Sequence, residues 1–265
     1  MSRPVDRVWP AFLGLGFLIG LVPALLALWG VAVHGVAAFG TVQWGALFPA
    51  ILGTVLVTLG ACLMAVPLGI GAGLYLAEYP HTRLARLSRF VGDVLGGTPS
   101  IVFGVFVWGW LVTATGRFSG WAGSVALALV MLPLVMRVTE SGILAVPASL
   151  REAPLVLGWP RWRATLSVTL RAGLPGLSIA LLVAIARVAG QAAPLLFTAL
   201  GNPYLSADLR EPMAALPLTV FADGSAPGRA AQDRAWAAAL LLVLIAALLG
   251  IAARAVARRE EARDA

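Results

Sequence analysis

Arg187 stands in the run Leu181-Leu-Val-Ala-Ile-Ala-Arg187-Val-Ala-Gly190. A guanidinium in such apolar company has two uses. It grips an oxyanion through two parallel N–H···O bonds, or it hydrogen-bonds a neighbouring helix. A charge at membrane depth costs at least about 2.5–3.5 kcal/mol on insertion scales, so it marks a functional candidate. Read as one helix from Leu174 to Leu200, the segment places residues at i±3, i±4 and i±7 on one side. That side holds Gly176, Ala180, Val183, Arg187, Gln191, Pro194 and Thr198. At 1.5 Å per residue, Arg187 lies about 20 Å past Leu174, near mid-membrane. The stripe is small and polar, so it faces a partner helix or a water-filled path, not lipid.

Other chemistry is absent or weak. The 19 basic residues are all arginine, against 12 acids, for a net charge of +7. Without lysine the chain has no Walker A loop and no Schiff base. Cys62, the one cysteine, forms neither an intrachain disulfide nor a cysteine-based zinc cluster, and reads as a small buried hydrophobe. His34 and His81 are expected in loops on opposite faces, so no metal site is predicted. No HExxH motif, Ser/His pair or paired intramembrane carboxylates suggest an intramembrane enzyme.

The elements that must position Arg187 follow from composition. Of 265 residues, 60% are hydrophobic and 12% charged, about half the charge of a soluble domain. Six runs approach the roughly 20 apolar residues that span a bilayer as a helix. They cover Val8 to Val33, Leu47 to Leu76, Val91 to Thr113, a short Gly120 to Met136, Leu174 to Leu200, and Ala235 to Val256. The first is longer than a signal-peptide core and reads as an uncleaved helix. Trp9, Trp29 and Trp44 suit membrane interfaces. Gly69, Gly71 and Gly73 read as close helix packing.

Arginine sets the orientation. Fourteen arginines fall on the N-terminus, the 2–3 loop, the 4–5 loop and the C-terminus; four fall on the opposite side. The excess predicts both termini in the cytoplasm, and it accounts for the +7 without nucleic acid. The expected fold class is all-α: one domain over 1–265, six transmembrane helices, and a basic cytoplasmic loop at about 137–173. Arg137 and Glu140 at the loop's start either pair locally or are solvated. The polar 5–6 loop, with Asp208, Arg210, Glu211, Asp223, Arg229, Asp233 and Arg234, is either a partner contact or solvated surface.

Within the basic loop, Ser149 and Glu152 form a capping-box pattern that predicts a helix start. Gly158 and Pro160 stop that helix. Leu155, Val156 and Leu157 give it apolar surface, for docking a cytosolic partner or resting on lipid.

The pattern Glu152-Ala153-x-x-x-x-Gly158 resembles the EAA loop of ABC importer permeases. The resemblance implies that Glu152, Ala153 and Gly158 belong to a coupling helix seated on an ATPase subunit. Three further segments resemble the phosphate-specific members of that family: Ala186-Arg-Val-Ala-Gly-Gln-Ala-Ala-Pro-Leu-Leu-Phe-Thr198, Gly97-Thr-Pro-Ser-Ile-Val-Phe-Gly104 and Tyr75-Leu-Ala-Glu-Tyr79. Together they cover about 45–255.

The resemblance implies a membrane-spanning permease of an ATP-driven importer in the inner membrane, carrying inorganic phosphate along a path that includes Arg187, Gln191, Pro194 and Thr198. It implies a second, homologous permease, two cytosolic ATPases and a periplasmic phosphate-binding protein as partners. The chain itself would be no enzyme and bind no cofactor; ATP and magnesium would serve the ATPases. Three residues depart from the pattern. Pro154 replaces an alanine, Arg171 replaces a proline before the retained Leu174-Pro175, and Gln191 replaces a glutamate. The last leaves Arg187 without its ion-pair partner, so it either holds an anion more tightly or meets a carboxylate of the second permease. A related oxyanion as substrate, and an ATP-independent secondary transporter, are the competing readings; the latter would be expected to show inverted repeats, and none is seen.

Overall fold

The computed structural model describes the backbone of residues 4–264 and the side chains of residues 12–258. Arg3, and the side chains of Arg7, Trp9, Arg259 and Arg263, lie outside the described residues. The long helices are α1 (Pro4–Phe39), α2 (Trp44–Glu78), α3 (Arg83–Gly97), α4 (Ser100–Val107), α5 (Gly120–Leu144), α6 (Ala148–Val156), α7 (Leu170–Ala189), α8 (Leu216–Gly224) and α9 (Arg229–Asp264). A π-helical turn, Trp108–Val112, extends α4, and Arg161–Ala164 with a second π turn, Thr165–Thr169, leads into α7. Among the described residues five helices are long and apolar enough to cross a membrane, six if α3 and α4 form one span.

That third span is not the straight run from Val91 to Thr113. Thr82 caps α3 by accepting from the Ala85 amide at 3.1 Å. The helix then ends at Gly96-Gly97 and Thr98, because the residue before Pro99 is driven out of the α region. The chain turns by 101° and restarts at Ser100.

The centre of the molecule is α2 against α5, running parallel. Glycines on α2 remove the side chains between them. A Cβ on Gly60 would meet Ser124 Oγ at 2.5 Å, one on Gly69 would meet Val135 Cβ at 2.7 Å, and one on Gly73 would meet Thr139 Cβ at 2.5 Å. Gly71 points into open space and takes no part in this packing. Val57, Ala61, Leu127, Met131, Val135, Ala184, Val188 and Leu195 fill one buried cluster. Cys62 sits half-buried with its sulfur 3.9 Å from that of Met131.

α1 packs against α9 near the 39–44 turn, where Gly35 meets Leu240 and the His34 ring lies 4.9 Å from Trp236. His34 is therefore in a helix, not in a loop. From Phe12 to Trp29 most of α1's large apolar side chains are exposed. The segment between α7 and α9 is not a solvated loop either. It folds back into the bundle: Thr54 Oγ1 accepts from the Leu216 amide at 2.8 Å, the Gly120 amide donates to Glu211 O at 2.9 Å, and Met213 and Leu216 are buried. One of its acids, Asp223, pairs with Arg234 of α9 at 2.8 Å.

Candidate functional site

The fifth span differs from its expected course, and the difference moves the site. The helix begins at Arg161, carries Pro175 in its interior and ends at Ala189. Pro175 does not start it. Arg187 thus occupies the last helical turn, where unpaired carbonyls carry partial negative charge and favour a cation. Past Gly190 the chain makes a short helical turn, Ala193–Leu196, so Gln191, Pro194 and Thr198 do not continue the helical face of Arg187. Gly176, Val183 and Arg187 do share that face, and all three are exposed.

Arg187 opens onto a cavity of about 320 Å³ lined by residues of α3, α4, α5 and the end of α7. Its polar lining is Thr98, Ser100, Arg137, Arg187 and Gln191. Val130, Pro133 and Leu134 form its apolar wall, so Arg187 lies level with the middle of α5. Among the described residues Arg187 has no hydrogen bond or ion pair, and its five donors are free to bind a ligand.

Pro194 and Thr198 are placed elsewhere. Pro194 is buried against Gly104. Thr198 is fully buried, donates to Pro194 O at 2.8 Å, and its carbonyl accepts from the Ser119 amide at 3.0 Å. Both shape the turn that carries Gln191 rather than line the cavity.

Arg137 and Glu140 do not pair with each other. Arg137 reaches Asp93 at 2.6 Å and Glu140 accepts from Arg89 at 2.5 Å, so two ion pairs tie α3 to α5 one turn apart. Neither spacing nor residue type in the sequence marks Arg137, Thr98 or Ser100 as site residues. The available signal was Asp93, an acid inside a run otherwise read as membrane-spanning.

The second candidate surface is α6. Its N-cap is Pro147, with no side-chain capping bond; Ser149 lies inside the helix, so the capping box does not form. Proline at that position leaves no amide of its own to satisfy. The other end behaves as its sequence requires. Gly158 takes φ +83°, its amide donates to Leu155 O at 3.0 Å, and the Trp159 amide donates to Pro154 O at 3.0 Å. This pair of bonds is the Schellman arrangement, which favours glycine at the left-handed position. Pro154 is buried, while Glu152, Ala153, Val156, Leu157 and Gly158 are exposed. The result is an apolar tip with a carboxylate, Glu152, that has no partner among the described residues.

A bundle with a broken third span, a glycine-capped short helix between its fourth and fifth spans, and a polar cavity at mid-depth defines a membrane permease. Residues 69–262 match the model of the family described as "Binding-protein-dependent transport system inner membrane component", and the chain belongs to that family. It is therefore a multi-pass protein of the inner membrane and a transport subunit.

Within that family it is similar to the phosphate transport system permease protein PstA of Yersinia pestis, 47% identical over 80% of this chain and 72% of that protein. It is 34% identical to PstA 1 of Mycobacterium tuberculosis (strain CDC 1551 / Oshkosh), over 95% of this chain and 88% of that one. The fold is that of ABC importer permeases. A chain of an alginate-importing bacterial ABC transporter superposes with TM-score 0.69 at 17% identity, covering 96% of this chain and 97% of its own. A chain of the inward-facing MetNI methionine ABC transporter does so with TM-score 0.64 at 19% identity, over 81% and 94%.

Proposed function

We propose that this chain is one of two permeases of an ATP-driven importer that carries inorganic phosphate into the cytoplasm. The observation that carries the substrate reading is Arg187, without a partner among the described residues, on a polar cavity at mid-depth beside Arg137 and Gln191. Two guanidiniums with hydroxyl and amide donors suit a tetrahedral oxyanion. Likeness to proteins named as phosphate permeases supports the choice among oxyanions. The 14-to-4 arginine excess supports cytoplasmic termini and a cytoplasmic α6. There, Val156, Leu157 and Glu152 form the docking tip for an ATPase subunit. A periplasmic binding protein delivers the anion to the opposite end, and the second permease closes the exposed face of α7. ATP-driven closure of the ATPases moves α6, and the two bundles rock around the cavity. Pro194 and Thr198 hold the turn that presents Gln191 to the path.

The test is reconstitution with the second permease, the ATPase and the binding protein in vesicles. Phosphate uptake is expected only with ATP and only with all components. Uptake by this chain alone, without ATP, would overturn the reading and favour a secondary transporter.

A further inference from the structure

The carboxylate at the end of α2 stands where physics disfavours it. Glu78 is the last residue of a 35-residue helix, at the negative end of its macrodipole. Two arginines from the basic loop offset this. Arg151 of α6 faces the Glu78 carboxylate at 3.6 Å, and Arg161 donates to the Glu78 carbonyl at 3.2 Å. Arg161 also stacks over the Tyr79 ring, 5.8 Å from its centroid. One residue thus holds both α6 and the segment that follows it. A cavity of about 570 Å³, lined by Glu78, His81, Arg151, Glu152, Leu155 and Arg161 among others, leaves α6 room to move toward α2.

The grip is incomplete. At 3.6 Å the Arg151–Glu78 pair is an ion pair beyond good hydrogen-bond length. Arg151 Nε is buried with no hydrogen-bond partner among the described residues, although both side chains are largely enclosed. A buried donor without an acceptor costs free energy that a small approach would recover. A guanidinium that turned or advanced toward Glu78 would form the two-bond fork.

We propose that Glu78 is the positioning residue through which α6 pulls on α2, and that the Arg151–Glu78 contact tightens when the ATPase moves α6. The inference rests on the reading of α6 as the ATPase-docking helix. The displacement has a rigid route onward. α2 meets α5 at Gly60, Gly69 and Gly73 with no intervening α2 side chain, and α5 carries Pro133 and Arg137 of the mid-depth cavity.

The test uses the complete reconstituted importer and reads phosphate imported per ATP hydrolysed. Glu78→Gln is expected to lower that ratio about 2- to 30-fold, the range of coupling changes from residues that touch neither ligand. Assembly and ATP hydrolysis should persist. Glu78→Arg and Arg151→Glu should each lower the ratio, and the double swap should restore most of it. A purely structural role would lower yield without moving the ratio.

An unchanged ratio in Glu78→Gln, or a double swap no better than its worse single, overturns the inference. Should Glu78→Gln fail to assemble, the swap series decides alone. A wild-type complex without ATP-dependent import would instead overturn the proposed function, and this inference with it.

Discussion

Gly104 of α4 lies against Pro194 of the turn beyond α7, so closely that a Cβ on Gly104 would stand 2.9 Å from both Pro194 Cα and Pro194 O. The contact joins the two sequence segments that frame the cavity. Pro99 redirects the chain into α4; Pro194 lies in the first positions of the turn after the break at Gly190. Gly104→Ala should therefore displace backbone rather than a pliable side chain. The expected cost is about 1–3 kcal/mol, as for other overpacked sites. It should appear as lower thermal stability of the purified protein together with reduced phosphate import. Gly71→Ala, which meets open space inside a helix, is the control and should lower neither stability nor import.

Arg187→Ala should abolish import while leaving assembly intact. The side chain is exposed and bonds to nothing among the described residues, so its loss removes no internal contact. Arg187→Lys should restore only part of the activity, because an ammonium keeps the charge without the planar fork. Uptake and co-purification of the second permease, measured on the same preparations, check both. Unaltered uptake in Arg187→Ala would remove this residue from the path.

Much of the scaffold was legible because its determinants are local. Apolar length marks the spans from Trp44 to Glu78 and from Arg229 to Arg258, and Gly158 with Pro160 ends α6 where expected. What was illegible depends on the far side of a contact. Nothing near Pro175 reveals that the helix already runs from Arg161, because the π turn at Thr165–Thr169 is accommodated by tertiary packing. Periodicity carried the face of Arg187 correctly to Gly176 but failed past Gly190, where the helix stops. Arg137 and Glu140 are neighbours in sequence, yet each finds its partner on α3. A third span bent by 101° at Thr98-Pro99 leaves α3, with Asp93 and Arg89, beside α5. The cavity was readable through Arg187 and Gln191, whereas Thr98, Ser100 and Arg137 join it through folding alone.

Gly158→Ala tests the docking tip. The position has φ +83° with no neighbour near the missing Cβ, so the penalty is conformational, about 1–2 kcal/mol for an L residue in the left-handed region. That strain falls on the last turn of α6 and not on the bundle. Co-purification of the ATPase should weaken while pairing with the second permease persists. Gly158→Asn, which tolerates this region better, should be milder. Equal ATPase retention by all three proteins would show that the cap does not set the docking geometry.

The two ion pairs between α3 and α5 should differ in worth because their surroundings differ. The Arg89 and Glu140 side chains are 38% and 17% exposed, whereas those of Arg137 and Asp93 are 55% and 60% exposed. Solvent screens the second pair and leaves it worth under about 1 kcal/mol. Removing one partner of the more enclosed pair leaves a charge unpaired where solvent screens it less, at a cost of about 1–2 kcal/mol. Glu140→Gln should therefore lower the melting temperature more than Asp93→Asn does. Asp93→Asn should act on function instead: it frees the Arg137 guanidinium beside the cavity and adds an unneutralised positive charge near Arg187. Its import should show tighter apparent phosphate binding, with slower turnover where release limits the cycle. Thermal unfolding of both variants, and initial import rates across phosphate concentrations, separate the two effects; equal melting shifts with unchanged import kinetics would contradict the assignment of one pair to stability and the other to the cavity's charge.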